Sequence, residues 1–190
     1  MTDWPKEYTV HLGDGFPVTI PLLDIGGGFH IYSFDMTGQT AWNLAAAREL
    51  NRKLSGYDFD GFVTVQTKSC GLTQALTALR GDESYLELRK SRKPFMIDPL
   101  GIAVESITTH GRQELWIGRE KYRHFIGKRL CLLDDVVSTG GTISAVLKLA
   151  EKVGFSVAVV ACVLTEGEKR TQYQGLPLIS LDNIPLPGKL

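Results

Sequence analysis

The sequence has no excess of either charge and few cysteines. Its 190 residues include 21 Lys and Arg and 21 Asp and Glu, which gives a formal net charge of zero. A domain that coats nucleic acid is usually strongly basic, so this balance argues against a nucleic-acid partner. Cys70, Cys131 and Cys162 are too far apart for a CxxC metal pair and too few for a disulfide framework. They fit a reducing compartment such as the cytoplasm.

Long apolar runs are also missing. The longest, from Val157 to Leu164, has eight residues, whereas a transmembrane helix needs about 20. Asp3, Lys6 and Glu7 interrupt the pattern of a signal peptide. We therefore expect a cytoplasmic protein without a membrane partner. Hydrophobic residues make up 43% of the chain, which is the composition of a globular protein large enough to form its own core.

The order of the apolar patterns predicts one α/β domain over residues 1–190. Residues 1–37 alternate apolar and polar positions, which is typical of half-buried strands. Farther along, strands and helices alternate, and this predicts a central, mainly parallel sheet flanked by helices. Two β-prone stretches within residues 102–117 predict a hairpin, which we call the arm. The predicted helices are 40–54, 72–79 and 142–153, and the predicted later strands are 62–65, 85–88, 130–135, 157–164 and 178–181. The inward face of the first helix would hold Ala41, Leu44, Ala45 and the aliphatic stem of Arg48.

Residues 130–142 combine an apolar strand, two acids, a loop rich in Ser, Thr and Gly, and the start of a helix. Ligands bind at the carboxyl ends of parallel strands, and a helix N-terminus offers free N–H groups to a phosphate. The acids suit sugar hydroxyls or a metal ion. The pattern predicts a site for a phosphorylated sugar, although the same residues would also cap a helix. They are Asp134 and Asp135, followed by Ser138, Thr139, Gly140, Gly141 and Thr142, and we call residues 138–142 the glycine loop.

This string resembles the phosphoribosyl pyrophosphate (PRPP) motif of the type I phosphoribosyltransferases. Its Asp-Asp-x-x-x-Thr-Gly-Gly-Thr core has the form seen in adenine and related purine enzymes. The resemblance implies that Asp134 and Asp135 hold the ribose hydroxyls, directly or through Mg²⁺, and that the glycine loop cradles the 5′-phosphate. Ser138 stands where enzymes for 6-oxopurines often have an Asp, so it favours the adenine type.

Two further segments match the family in order. After the strand at 62–65, the family places a pyrophosphate-binding loop, and residues 66–71 occupy that position; we call them the lysine loop. In the family this loop can contain a non-proline cis peptide. Residues 89–93, which we call the basic segment, resemble the Arg-Lys-x-x-Lys-x-Pro stretch of adenine enzymes, with Pro94 one residue early. The resemblance implies that the diphosphate of PRPP is bound by the side chains of Thr67, Lys68, Arg89, Lys90 and Lys93. It also implies that Lys68 and Lys90 are catalytic.

The arm corresponds to the flexible catalytic loop that closes over the substrates of this family. Adenine enzymes carry Glu-Tyr-Gly there, whereas this chain has Thr109 and His110 before Gly111. His110 could replace the acid in proton transfer, because the ordinary pKa of histidine is about 6.5. A single loop histidine is also a common surface residue.

By this resemblance, residues 60–165 are the core of a type I phosphoribosyltransferase fold, and residues 1–37 and 176–190 form a small hood over the base. The implied reaction transfers the phosphoribosyl group from Mg²⁺·PRPP to a purine base in a homodimer. A PRPP-sensing protein without turnover and an enzyme for a non-purine base are the alternatives. Apolar residues that the base pocket or the packing of the hood could use are Leu22, Leu23, Ile25 and Phe34.

Overall fold

The computed structural model describes residues 4–13, 15–105 and 112–189. Three strands come first, and from there strands and helices alternate as the sequence predicts. The strands are β1 (Glu7–His11), β2 (Pro17–Asp24), β3 (Phe29–Tyr32), β4 (Gly61–Val65), β5 (Leu86–Leu88), β6 (Leu100–Glu105), β7 (Arg112–Ile117), β8 (Arg129–Val137), β9 (Ser156–Glu166), β10 (Gln172–Tyr173), β11 (Leu176–Ile184) and β12 (Gly188–Lys189). The helices are α1 (Thr40–Leu54), α2 (Cys70–Arg80), α3 (Arg119–Tyr122), a 3₁₀ turn at Arg123–Phe125, and α4 (Gly141–Val153).

A central sheet in the order β10-β11-β9-β8-β4-β5 organises the molecule. Strands β11, β9, β8, β4 and β5 run parallel, and β10 is added antiparallel at one edge. This confirms the predicted mainly parallel sheet. Strands β8 and β9 are nearly continuous apolar runs because both faces of a parallel sheet are covered. The two acids therefore leave the sheet from a strand that has a neighbour on each side.

One apolar layer lies on each face of this sheet. On one face, Leu50 of α1 and Leu72 of α2 pack with Val10 and Val18 of the N-terminal strands. On the other face, α4 packs with β6 and β7, and its buried residues include Ile143 and Leu149. Helices thus cover both faces, as an α/β fold requires. Within the described ranges, no helix is both long enough and apolar enough to cross a membrane.

Helix α1 has the predicted bounds but buries a different face. Its inward residues are Asn43, Ala46, Ala47, Leu50 and Leu54, whereas the predicted Leu44 is 40% exposed. The polar Asn43 interrupts the apolar stripe and hides it from a reading of hydrophobic periodicity. It can be buried because its Nδ2 donates hydrogen bonds to Met36 O at 2.9 Å and to Gln39 O at 2.7 Å. The predicted inward face was therefore wrong.

The C-terminal segment belongs mostly to the central sheet. A short strand at 178–181 within a hood was predicted, but β11 has nine residues and pairs in parallel with β9. Its polar residues conceal the strand in the sequence, and they are paired with residues of other strands: Asp182 Oδ2 accepts from His11 N at 2.9 Å, and Asn183 Oδ1 accepts from Thr165 Oγ1 at 2.7 Å. Beyond β11, β12 pairs antiparallel with β3 in a four-stranded sheet with β1 and β2. We therefore assign β11 to the central sheet and only β12 to the N-terminal layer.

Strands β6 and β7 form the predicted hairpin. They pair antiparallel from Leu100 opposite Ile117 to Glu105 opposite Arg112. The tip of the arm, which contains Thr109 and His110, lies outside the described residues. The role of His110 and the flexibility of the arm therefore stay predictions.

Candidate active site

The two acids lie near the carboxyl end of β8, between β4 and β9. Asp134 is half-buried, Asp135 is 8% exposed, and Asp134 Oδ1 accepts a hydrogen bond from Asp135 N at 3.0 Å. Burial and the negative charge of Asp135 raise the pKa of Asp134, and the charge of Lys90 offsets part of that rise. Two adjacent carboxylates held in this way attract a cation or hydroxyl donors, which is typical of a functional site.

The lysine loop lies beside these acids. Lys68 Nζ is 3.9 Å from Asp135 Oδ2 and 3.4 Å from Phe34 O, although 52% of the lysine side chain remains exposed. The peptide bond between Gln66 and Thr67 is cis, as the family resemblance allows. The structure thus brings together the lysine loop, the acids and the segment between β3 and α1.

Buried hydroxyl groups connect the lysine loop to β8. Thr64 Oγ1 donates to Leu133 O at 3.0 Å and lies 2.7 Å from Ser69 Oγ, and Ser69 O accepts from Thr73 Oγ1 at 2.8 Å. Thr64, Ser69 and Thr73 are at most 1% exposed. Buried hydroxyls are costly unless they are paired, and here each has a partner. The sequence offered only one hint of this link, the hydroxyl of Thr64 inside the apolar β4.

The glycine loop runs into α4, and its last two residues, Gly141 and Thr142, are the first two of the helix. Gly140 has φ +81°, in the left-handed region that favours glycine, and α4 begins at Gly141 without a side-chain cap. The first N–H groups of a helix have no acceptor within the helix, so they and the helix dipole favour an anion at this point. Thr139 is exposed and Thr142 is half-buried, so their hydroxyls remain accessible to a ligand.

Two residues that the sequence analysis missed contact this loop. Arg170 Nη1 donates to Ser138 O at 3.0 Å, and the Tyr173 hydroxyl donates to Thr139 O at 3.3 Å. They lie some 30 positions from the loop, and no periodicity or local motif signals contacts over that separation.

The side chains of the basic segment interact with two different parts of the site. Lys90 acts on the acids, because its positive charge offsets part of the rise in the pKa of Asp134 that burial and Asp135 cause. Arg89 instead lies 3.4 Å from Glu87 Oε1 and donates to Gln66 Oε1 at 3.3 Å, so it flanks the lysine loop with its charge already paired. Lys93 is half-buried, and no contact between it and the acids occurs among the described residues.

The predicted apolar residues of the base pocket have different surroundings. Phe34 is 3% exposed and stacks on Trp42, with ring centroids 5.7 Å apart and planes 14° from parallel. Leu22 is half-buried, whereas Leu23 and Ile25 are exposed. Phe34 therefore packs within the apolar layer, while its backbone oxygen faces Lys68.

Known proteins similar to this chain are purine phosphoribosyltransferases. A hypoxanthine/guanine phosphoribosyltransferase of Methanobacterium lacus is 32% identical over 132 residues, 70% of this chain and 65% of that protein. An adenine phosphoribosyltransferase of Gluconobacter oxydans is 34% identical over 126 residues, 66% of each chain. The chain thus spans just under two thirds of the length of these relatives. The solved adenine phosphoribosyltransferase of Thermoanaerobacter pseudethanolicus superposes with a TM-score of 0.72 at 21% identity, covering 87% of this chain and 95% of that one.

The chain has the type I phosphoribosyltransferase fold, and it is similar in sequence to purine phosphoribosyltransferases. This confirms the fold and the resemblance that the motif at Asp134–Thr142 indicated. No protein-family model matches the chain. The relatives of this chain include both adenine and hypoxanthine/guanine enzymes, and they favour neither a sensor without turnover nor an enzyme for a non-purine base.

Proposed function

We propose that this protein transfers the 5-phosphoribosyl group of PRPP to a purine base and releases pyrophosphate. One observation carries the proposal: the acids of β8 lie between a loop with a lysine 3.9 Å from Asp135 and the uncapped N-terminus of α4. A sugar carrying a phosphate at one end and a diphosphate at the other needs hydroxyl acceptors flanked by two anion sites. This is the arrangement around Asp134 and Asp135.

In this reaction the bond between C1′ and the diphosphate oxygen breaks, and a bond from a base nitrogen to C1′ forms. The glycine loop would hold the 5′-phosphate, and Asp134 and Asp135 would fix the ribose hydroxyls. Lys68 and Lys90 would stabilise the charge that develops on the departing diphosphate, with Thr67, Arg89 and Lys93 as further contacts. His110 on the arm would move the base proton. Positioning and charge stabilisation would supply most of the catalysis.

The acids also suit Mg²⁺. Among the residues that the structure describes, no cluster of three or more His, Cys, Asp or Glu could hold a metal ion alone. Mg²⁺ commonly uses one or two protein carboxylates together with substrate phosphates, so Asp134 and Asp135 fit an ion that arrives with PRPP. When bound, the ion would neutralise charge on the diphosphate.

We further propose adenine as the first base to test, because Ser138 replaces the Asp that enzymes for 6-oxopurines often carry. We also propose a cytoplasmic homodimer. Light scattering coupled to size-exclusion chromatography tests the dimer, with a single-chain mass of 21.0 kDa for comparison.

The test is pyrophosphate release by the purified protein with Mg²⁺, PRPP and one of adenine, hypoxanthine, guanine, xanthine, orotate or uracil. We expect release that depends on a purine. The double variant Asp134→Asn/Asp135→Asn should abolish it. The matched control is Asp58→Asn/Asp98→Asn, which removes the same charge from residues that are 91% and 70% exposed in their side chains.

No release with any base would contradict the proposed reaction. Equal release by the active-site double variant and by its control would contradict the assignment of the acids.

A further inference from the structure

Residues 170–174, which include β10 and which we call the β10 segment, contact the glycine loop and α4 at three points. Arg170 Nη1 donates to Ser138 O at 3.0 Å, and the Tyr173 hydroxyl donates to Thr139 O at 3.3 Å. Ser144 Oγ lies 3.2 Å from the Tyr173 hydroxyl and accepts from Gln174 Nε2 at 3.2 Å. Two consecutive carbonyl groups of the glycine loop are therefore each held by a side chain of this segment.

Holding a carbonyl oxygen also sets the direction of the next N–H group. In a trans peptide unit, the C=O of one residue and the N–H of the next point in opposite directions. When Arg170 holds Ser138 O, the N–H of Thr139 points away from Arg170. When Tyr173 holds Thr139 O, the N–H of Gly140 points away from Tyr173. The N–H groups of Thr139 and Gly140 therefore both point away from the β10 segment.

The tyrosine ring adds a packing constraint. A Cβ placed on Gly140 would overlap Cε2, Cζ and the hydroxyl oxygen of Tyr173. The ring therefore lies directly against the Gly140 backbone. Arg170 also places a positive charge at a loop that has no charged side chain of its own in residues 138–142.

We infer that Arg170 and Tyr173 are positioning residues that direct the N–H groups of Thr139 and Gly140 at the 5′-phosphate of the substrate. The inference rests on the proposed function, which places that phosphate in the glycine loop. In this inference the β10 segment orients the N–H groups that bind the 5′-phosphate, and the lysine loop binds the pyrophosphate.

The test compares two ligands that occupy opposite ends of the site. Titration calorimetry measures the affinity of ribose 5-phosphate and of pyrophosphate, both with Mg²⁺, for the wild type, Arg170→Gln and Tyr173→Phe. The Phe variant keeps the ring against Gly140 and removes only the hydroxyl. The control is Lys169→Gln, which removes one positive charge from an exposed neighbour in the chain. Thermal unfolding confirms that each variant is folded.

We expect each variant to bind ribose 5-phosphate about three to ten times more weakly, because a misdirected N–H group weakens its hydrogen bond to the phosphate without abolishing it, and a loss of this size is the net contribution of an ordinary hydrogen bond. Pyrophosphate affinity should stay within about twofold, since its contacts do not include the glycine loop, and Lys169→Gln should match the wild type for both ligands. In turnover assays the variants should raise the KM for PRPP more than they lower kcat.

Two results would overturn the inference. The first is unchanged ribose 5-phosphate affinity in both variants, and the second is an equal loss for both ligands, as a general structural defect would cause. Binding does not require turnover, so the inference is tested separately from the reaction. A wild type that binds ribose 5-phosphate but releases no pyrophosphate with any base would reject the transferase and not the role of Arg170 and Tyr173.

Discussion

Gly140 and Gly81 have nearly the same backbone conformation in very different surroundings. Gly140 has φ +81° and ψ 13°, and Gly81, which follows α2, has φ +76° and ψ 19°. A Cβ added to Gly81 would meet no atom within 4 Å, whereas one added to Gly140 would overlap the ring of Tyr173. Replacing each glycine by alanine therefore separates the backbone cost from the steric cost.

The expected losses of stability differ accordingly. A non-glycine residue in the left-handed region costs about 1–2 kcal/mol, so Gly81→Ala should lower the free energy of unfolding by that amount. Gly140→Ala must also displace the Tyr173 ring, and overpacking typically costs about 1–3 kcal/mol. We expect a total of about 2–5 kcal/mol for Gly140→Ala. PRPP binding should weaken as well, because the ring cannot move without disturbing its bond to Thr139 O.

Urea unfolding of a double-mutant cycle provides the assay. In a Tyr173→Ala background the overlap is gone, so Gly140→Ala should cost only the backbone part, which leaves a coupling of about 1–3 kcal/mol. PRPP titration of Gly81→Ala should match the wild type. The reasoning would be refuted if Gly81→Ala and Gly140→Ala were equally destabilising in the wild-type background.

Two further predictions concern titrating groups. Burial and the charge of Asp135 raise the pKa of Asp134, so the unfolded chain releases this proton at a lower pH than the folded protein does. The free energy of unfolding without ligand should therefore fall as the pH rises from the ordinary carboxyl pKa to the raised one. Asp134→Asn should remove that fall and stabilise the protein at neutral pH while weakening PRPP binding. Urea unfolding across this pH range tests the prediction, and a free energy of unfolding that rises there would contradict it. Burial, and to a smaller extent the negative charge of Glu87, raises the pKa of Cys70 to about 11. About one Cys70 thiol in a thousand should then be ionised at pH 8, so iodoacetamide should label Cys70 far more slowly than a free thiol. Labelling at the rate of a free thiol would contradict this prediction.

Much of the fold follows from local sequence patterns. Strands β8 and β9 were predicted because their apolar runs are continuous, and α4 was predicted because its apolar positions recur at helical spacing and end at Gly154. The face of α1 was not predicted correctly because the polar Asn43 is buried there and donates to Met36 O and Gln39 O just before the helix. The extent of β11 was not predicted correctly because its polar Asp182 and Asn183 bond to His11 and Thr165, which are distant in the chain. Hydrophobic periodicity cannot reveal a buried polar group whose hydrogen bonds are formed only in the tertiary structure.

The candidate site was also predictable from the sequence only in part. The acids and the glycine loop are contiguous in sequence, so their pattern alone indicated a phosphorylated sugar. Lys68 lies beside the acids because it follows the strand next to β8, and its predicted contact with the diphosphate stays a prediction. Arg170, Tyr173 and the buried pair Thr64 and Ser69 were not found, because their roles depend on side-chain contacts between separate elements.

The position of each part in the central sheet gives the site two halves of unequal local stability. Strand β8 pairs with β4 as far as Leu133 and with β9 as far as Val137, so amide hydrogens around Asp134 and Asp135 should exchange only when the whole domain unfolds. Strand β10 has two residues at the sheet edge, so its amides should exchange through local opening. A transient detachment of the whole β10 segment would release the carbonyls of Ser138 and Thr139 while the acids stay in place. Under the proposed function, the half of the site that would bind the sugar would be as stable as the fold itself, and the half that would bind the phosphate would open and re-form many times within the lifetime of one folded molecule.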